Sequence, residues 1–103
     1  MQLKILHTKS ELEAWLNEQN SAIILIPTMG ALHAGHQFLI RKAKETSNVK
    51  DPIVLVSIFV NPLQFSENED FKKYPRNLKR DSELAYASGA DAIWAPNVNE
   101  VFP

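Results

Sequence analysis

The chain has 103 residues, 45% of them hydrophobic and 22% charged, with a net charge of −1 and no cysteine. That length bounds it to one domain near the lower end of what buries a self-sufficient core, the balanced charge argues against a broad nucleic-acid or membrane surface, and the lack of thiols excludes disulfides and thiolate chemistry. No apolar run approaches the roughly 20 residues that span a bilayer, and the opening Met-Gln-Leu-Lys lacks the form of a secretion signal, so a cytoplasmic location is the expectation.

In chain order, Leu3 to Leu6 reads as a short strand, and Thr8-Lys9-Ser10-Glu11 followed by Glu13 offers two overlapping capping boxes for a helix start. Leu12, Trp15 and Leu16 then fall at helical spacing and read as a core stripe. Asn20 and Ser21 turn the chain. Ile23 to Ile26 form a β-branched run expected to be a buried strand that ends at Pro27, where a ladder donor is lost.

A glycine-bearing turn, Pro27-Thr28-Met29-Gly30-Ala31-Leu32-His33-Ala34-Gly35-His36, joins that strand to a helix from Gly35 to about Thr46. His36, Leu39, Ile40 and Ala43 lie at helical spacing, with Arg41, Lys42, Lys44 and Glu45 on the outer side. Strand, turn and helix start together place backbone N–H groups and a positive dipole end at one spot, which favours an anion. His33 and His36 project from the same side of the first turn if the helix begins by His33. An imidazole donates a hydrogen bond when neutral and carries charge when protonated. Two histidines three apart are also what an ordinary surface or half-buried helix shows. A zinc site is the weaker reading, since the remaining histidine, His7, lies in a different element and no cysteine is present.

Ser47 to Pro52 form a polar loop. Ile53 to Val60 is the most apolar run, and its continuous pattern suggests a central strand buried on both faces. Strand, helix and strand at this spacing imply a right-handed crossover in an α/β fold with a parallel sheet, where ligands gather beyond the carboxyl ends of the strands. One such end leads into Pro27 to Met29 and the other into Asn61-Pro62-Leu63-Gln64. The amides of Asn61 and Gln64 therefore face the crevice of the histidines, or else simply form a turn. Ser66 to Lys73 is polar and charged, a solvated loop or a mobile lid over the crevice. Tyr74 is either a residue at the rim of the site or an anchor ending that loop. Arg76 reaches phosphate or pairs with Asp70 or Asp81. A helix starts near Asn77, carries Leu78, Leu84, Ala85 and Ser88 inward and ends at Gly89. Asp91 to Pro96 reads as a further parallel strand, with Trp94 in the core.

Pro27 to His36 resembles the nucleotide-binding signature of the pantothenate synthetase (pantoate-β-alanine ligase) family, and His33-Ala34-Gly35-His36 is similar to the H-x-G-H element of the wider nucleotidyltransferase and class I aminoacyl-tRNA synthetase superfamily. Ser57-Ile58-Phe59-Val60-Asn61-Pro62-Leu63-Gln64-Phe65 and Asp70-Phe71-Lys72-Lys73-Tyr74-Pro75-Arg76 resemble that ligase's next two motifs, in the same order and at comparable spacing. The likeness spans nearly the whole chain and the N-terminal part of the family pattern. It implies a Rossmann-like three-layer fold of nucleotidyltransferase type, with residues 1–103 as its nucleotide-binding domain.

The resemblance further implies an ATP-dependent ligase that condenses pantoate with β-alanine through pantoyl adenylate. It assigns ATP to Thr28, Met29, Gly30, His33, Gly35 and His36, with His36 as the catalytic donor to the leaving pyrophosphate and Mg²⁺ sharing that charge. Gln64, Asn61 and Tyr74 fall to the pantoate and β-alanine side. The family pattern continues with a lysine-containing phosphate-binding stretch, a second pantoate-binding glutamine and a loop bearing serine and arginine, which this chain lacks, so the chain by itself is not expected to turn over. The family's tendency to dimerise implies a homodimer. An inactive ATP-binding module, or a nucleotidyltransferase using another acceptor through the same histidines, are the alternatives.

Overall fold

A computed structural model describes residues 3–46, 48, 50–61 and 77–102. In chain order these form β1 (Lys4–Leu6), α1 (Lys9–Asn17), β2 (Ile23–Thr28), α2 (Ala34–Thr46), β3 (Ile53–Ile58), α3 (Leu78–Ser88), β4 (Ala92–Trp94) and the short α4 (Val98–Val101). The four strands make one sheet in the order β1-β4-β3-β2, and every pairing is parallel. The architecture is the α/β fold expected from the sequence.

Side chains alternate across a strand, and β3 shows what that does here. Val54 and Val56 point to one face, where Ile26, Ile40, Ala85 and Ile93 close a core beneath α2 and α3. Leu55 points to the other, where it meets Leu6, Trp15 and Ala92 beneath α1. Helices therefore cover both faces, giving three layers, and β3 needs no polar face. Full burial of each such aliphatic side chain contributes about 1.5–3 kcal/mol, so the register that aligns Thr28 with Ile58 at the carboxyl ends of β2 and β3 is firmly set.

The helix boundaries follow their sequence signals. Thr8 caps α1 by accepting from the Glu11 N–H at 3.1 Å, while the Glu11 carboxylate accepts from the Thr8 N–H at 3.0 Å. Asn77 caps α3, and Gly89 ends it at φ 113°, a left-handed conformation suited to glycine.

Several local expectations are corrected. β2 runs on through Pro27 to Thr28, because β2 is an edge strand and the missing N–H can lie on its unpaired side. For the same reason β2 is buried only in part: Ile26 reaches the core, whereas Leu25 is 55% exposed. In α1 the stripe buries Trp15 and half-buries Leu12 but leaves Leu16 37% exposed, and in α2 Ile40 is buried while Leu39 is 54% exposed. Trp94 is half-buried against the α1 side of the sheet.

Candidate functional site

The chain leaves β2 through a turn whose backbone is fixed at each step. Thr28 Oγ1 donates to the Ser57 carbonyl at 3.0 Å and accepts from the Gly30 N–H at 3.1 Å, which ties the turn to the neighbouring strand. Gly30 (φ 85°) and Ala31 (φ 53°) are both left-handed, a conformation that residues with a Cβ resist. The Asp81 carboxylate of α3 then accepts from two successive amides, Ala31 N–H on Oδ2 and Leu32 N–H on Oδ1, each at 2.9 Å. Leu32, fully buried in the larger core, anchors the end of the turn.

His33 and His36 close the start of α2 on each other. The Gly35 N–H donates to His33 Nδ1 at 3.0 Å, and the His33 N–H donates to His36 Nδ1 at 3.2 Å. This is the reciprocal logic of a capping box, with imidazoles in place of a hydroxyl and a carboxylate. The rings lie with centroids 4.2 Å apart at 44°. Since both Nδ1 atoms are acceptors, each neutral ring carries its proton on Nε2. His36 is held below the ordinary imidazole value, first by partial burial and then by the neighbouring His33, with Asp81 opposing. At His36 that lowering favours the neutral ring, with Nε2–H left as its donor.

These bonds revise one expectation. The amides of Gly30, Ala31, Leu32, His33 and Gly35 all have acceptors within the protein. They do not form an open ring of donors; they hold the turn, and the imidazole edges are what it presents.

The two histidines border a crevice of about 520 Å³ at the carboxyl ends of β2 and β3, together with Pro27, Thr28, Met29 and Asn61. Gly30 and Phe59 separate it from a more apolar cavity of about 370 Å³, walled by Ile58, Val60, Leu78 and Pro96. Of the residues singled out from the sequence, Thr28, Met29, Gly30, His33, His36 and Asn61 meet at this crevice. Gly35 lies in the first turn of α2 behind the His33 ring. Gln64, Tyr74, Arg76 and the 66–73 stretch lie outside the described residues.

Sequence reasoning missed Asp81 as part of the site, treating it only as an ion partner for Arg76. The signal was its place on the inward stripe of α3, three residues after Leu78 and four before Ala85. A carboxylate there must be bonded to be buried.

Among the described residues, no group of three or more His, Cys, Asp or Glu side chains is placed to hold a metal ion. Asp81 already uses both oxygens on main-chain amides. The described side chains thus do not fit a protein-held Mg²⁺. What they do fit is an anion with several oxygens, met by the imidazole N–H donors of His33 and His36 at the start of α2.

Comparison with known proteins converges on one enzyme class. A family model described as pantoate-beta-alanine ligase matches residues 4–103. A bifunctional pantoate ligase/cytidylate kinase from Prochlorococcus marinus (strain NATL1A) is 69% identical over 100 residues, 97% of this chain and 19% of that protein. The crystal structure of pantothenate synthetase from Thermus thermophilus superposes with a TM-score of 0.85 at 40% identity, covering 98% of this chain and 34% of that one. A pantoate-beta-alanine ligase from Francisella tularensis, solved with beta-gamma ATP and beta-alanine, superposes at 0.87 with 34% identity, covering 99% of this chain and 38% of that one. The chain therefore spans about a fifth of the first relative and little more than a third of the two solved chains.

Proposed function

Because the chain belongs to the pantoate-beta-alanine ligase family, we propose that it supplies the nucleotide-binding part of an ATP-dependent ligase that joins pantoate to β-alanine. The observation that carries this reading is the reciprocal histidine cap, which uses both Nδ1 atoms as acceptors and so leaves Nε2–H as the ring donor on two residues that line the crevice where β2 and β3 end. The Francisella relative, solved with beta-gamma ATP and beta-alanine, has the same fold over this region.

In the reaction proposed, the pantoate carboxylate attacks the α-phosphorus of ATP. The bond to the bridging oxygen breaks, pyrophosphate leaves with the electron pair, and pantoyl adenylate forms. The β-alanine amine then attacks the activated carbonyl, loses a proton and expels AMP. Charge builds on the pyrophosphate oxygens in the first step, and fixed donors aimed there stabilise that charge without reorganising. His33 and His36 hold this role, with His36 as the principal hydrogen-bond donor. Thr28, Met29 and Gly30 shape the floor beneath the triphosphate, and Gly35 serves the site from behind by holding the His33 ring. Asn61 lines the acid side of the crevice, and Gln64 and Tyr74 are assigned there from the family pattern. Mg²⁺ enters with the nucleotide as part of the substrate.

Turnover is proposed for the family-length enzyme and nucleotide binding for this segment, in keeping with its share of its relatives' length. A homodimer and a cytoplasmic location complete the reading. No helix among the described residues is long and apolar enough to cross a membrane.

Calorimetric titration of the chain with ATP tests the binding half. Saturable binding that is lost in a His33→Ala/His36→Ala variant is expected, and equal binding by the variant rejects the site. Pantoate-dependent pyrophosphate release by the family-length enzyme tests the chemistry. His36→Ala should reduce it about a hundredfold or more, the usual cost of removing one such donor, and unchanged release rejects the role given to His36.

A further inference from the structure

Asp81 hydrogen-bonds to neither ring of the histidine pair, yet its carboxylate is 1% exposed and both its oxygens are bonded to the turn that precedes them. Burying a charge is costly unless it is bonded, and here each oxygen takes one main-chain N–H, with Arg80 Nη1 on Oδ1 at 3.2 Å. The two amides so held, those of Ala31 and Leu32, flank the left-handed Ala31 and follow directly on the left-handed Gly30. The carboxylate also packs close, since a Cβ on Gly30 would stand 3.2 Å from Asp81 Oδ2. Two residues beyond Ala31 the chain reaches His33, whose ring is aimed by bonds to α2 alone. The turn therefore decides where that ring starts.

We propose that Asp81 is a positioning residue: through the Ala31 and Leu32 amides it holds the left-handed turn in the form that directs His33 and His36 into the crevice. The proposal deepens the nucleotide-binding reading and rests on it for its consequence in affinity, but the placement of the rings is a matter of geometry.

The test uses Asp81→Asn, which keeps the shape of the side chain but sets an NH₂ donor against one of the two amides. In the ¹⁵N-labelled chain, His33 and His36 ring nitrogens should leave the pattern of a fixed Nε2–H tautomer. His7, bonded through Nδ1 to the Ala95 carbonyl, serves as the internal control and should not move. ATP affinity should fall about tenfold, as expected when one hydrogen bond to a charged group is weakened. Adding Ala31→Gly should restore the ring signals and the affinity, since glycine takes a positive φ without help. A general stabilising role would not be repaired at that one backbone position.

Unchanged ring signals in a folded Asp81→Asn chain overturn the proposal, as do altered signals that Ala31→Gly does not restore. Should the single variant fail to fold, the double variant decides. A folded chain with native ring signals supports the positioning role, and a chain still unfolded overturns it. Failure of the unaltered chain to bind ATP would count against the nucleotide reading, and the ring spectra would still judge Asp81.

Discussion

Gly35→Ala is the substitution in which fold stability and nucleotide binding should part company. Replacing a helical glycine by alanine ordinarily stabilises by about 0.5–1 kcal/mol. Here the added methyl would stand 2.9 Å from His33 Cε1 and 3.1 Å from its Nδ1. The ring is the free end of a side chain and can swing away, so the steric cost is small. What goes with it is the Gly35 N–H bond to Nδ1 at 3.0 Å, which contributes about 0.5–1.5 kcal/mol. Gain and loss cancel to within about 1 kcal/mol, which in a domain of this size keeps the melting temperature within about 8 °C of the original. The displaced ring, however, takes its Nε2–H away from the phosphate. A hydrogen bond to a charged group contributes about 1.5–3 kcal/mol, so ATP affinity should fall about tenfold to a hundredfold. Thermal melting and calorimetry on one preparation read both quantities. A variant that melts normally and binds ATP as well as the original chain would refute the reasoning, and with it the physical account of why glycine stands between the histidines.

The remaining predictions concern pH and the scaffold. His36 titrates below its ordinary value of 6.5 in the folded chain, so as pH falls the unfolded chain takes up the proton first. Its contribution is full above that value and is lost as pH drops through the lowered folded pKa. Urea midpoints should therefore fall further on acidification in the original chain than in His36→Gln, and equal declines contradict the assignment. Thr8→Ala removes the α1 capping box and should cost about 1 kcal/mol in urea unfolding while leaving ATP affinity unchanged, since α1 lies under the other side of the sheet. Ile40→Ala empties a fully buried position beneath α2 and should cost about 2–5 kcal/mol. A loss well below that range would mean that the core is not centred there.

Much of this architecture was legible in the residues. The continuous apolar run of β3 announced a strand covered on both faces, and Thr8, Asn77 and Gly89 marked helix ends through local chemistry that needs no tertiary context. Pro27 misled because a proline ends a central strand but not an edge strand, and which strand lies at the edge is set by long-range order. Leu16 and Leu39 satisfy helical spacing yet sit at the margin of their stripes, where the facing layer does not reach. At the site, the positions of His33 and His36 could be read from their spacing, but the bonds that aim them could not. Turn amides are anion donors only if nothing in the protein claims them first. The claimant for two of them, Asp81, lies about 50 residues away and comes near only once α3 has packed.

Long-range ¹⁵N NMR of the imidazoles during an ATP titration addresses the core of this account most directly. With ligand absent, His33 and His36 should both show protonated Nε2 and bare Nδ1; as ATP is added, their Nε2 signals should shift together and saturate while those of His7 stay still. Protons found on Nδ1 of either ring, or Nε2 signals of His33 and His36 that do not respond to ATP, would contradict it.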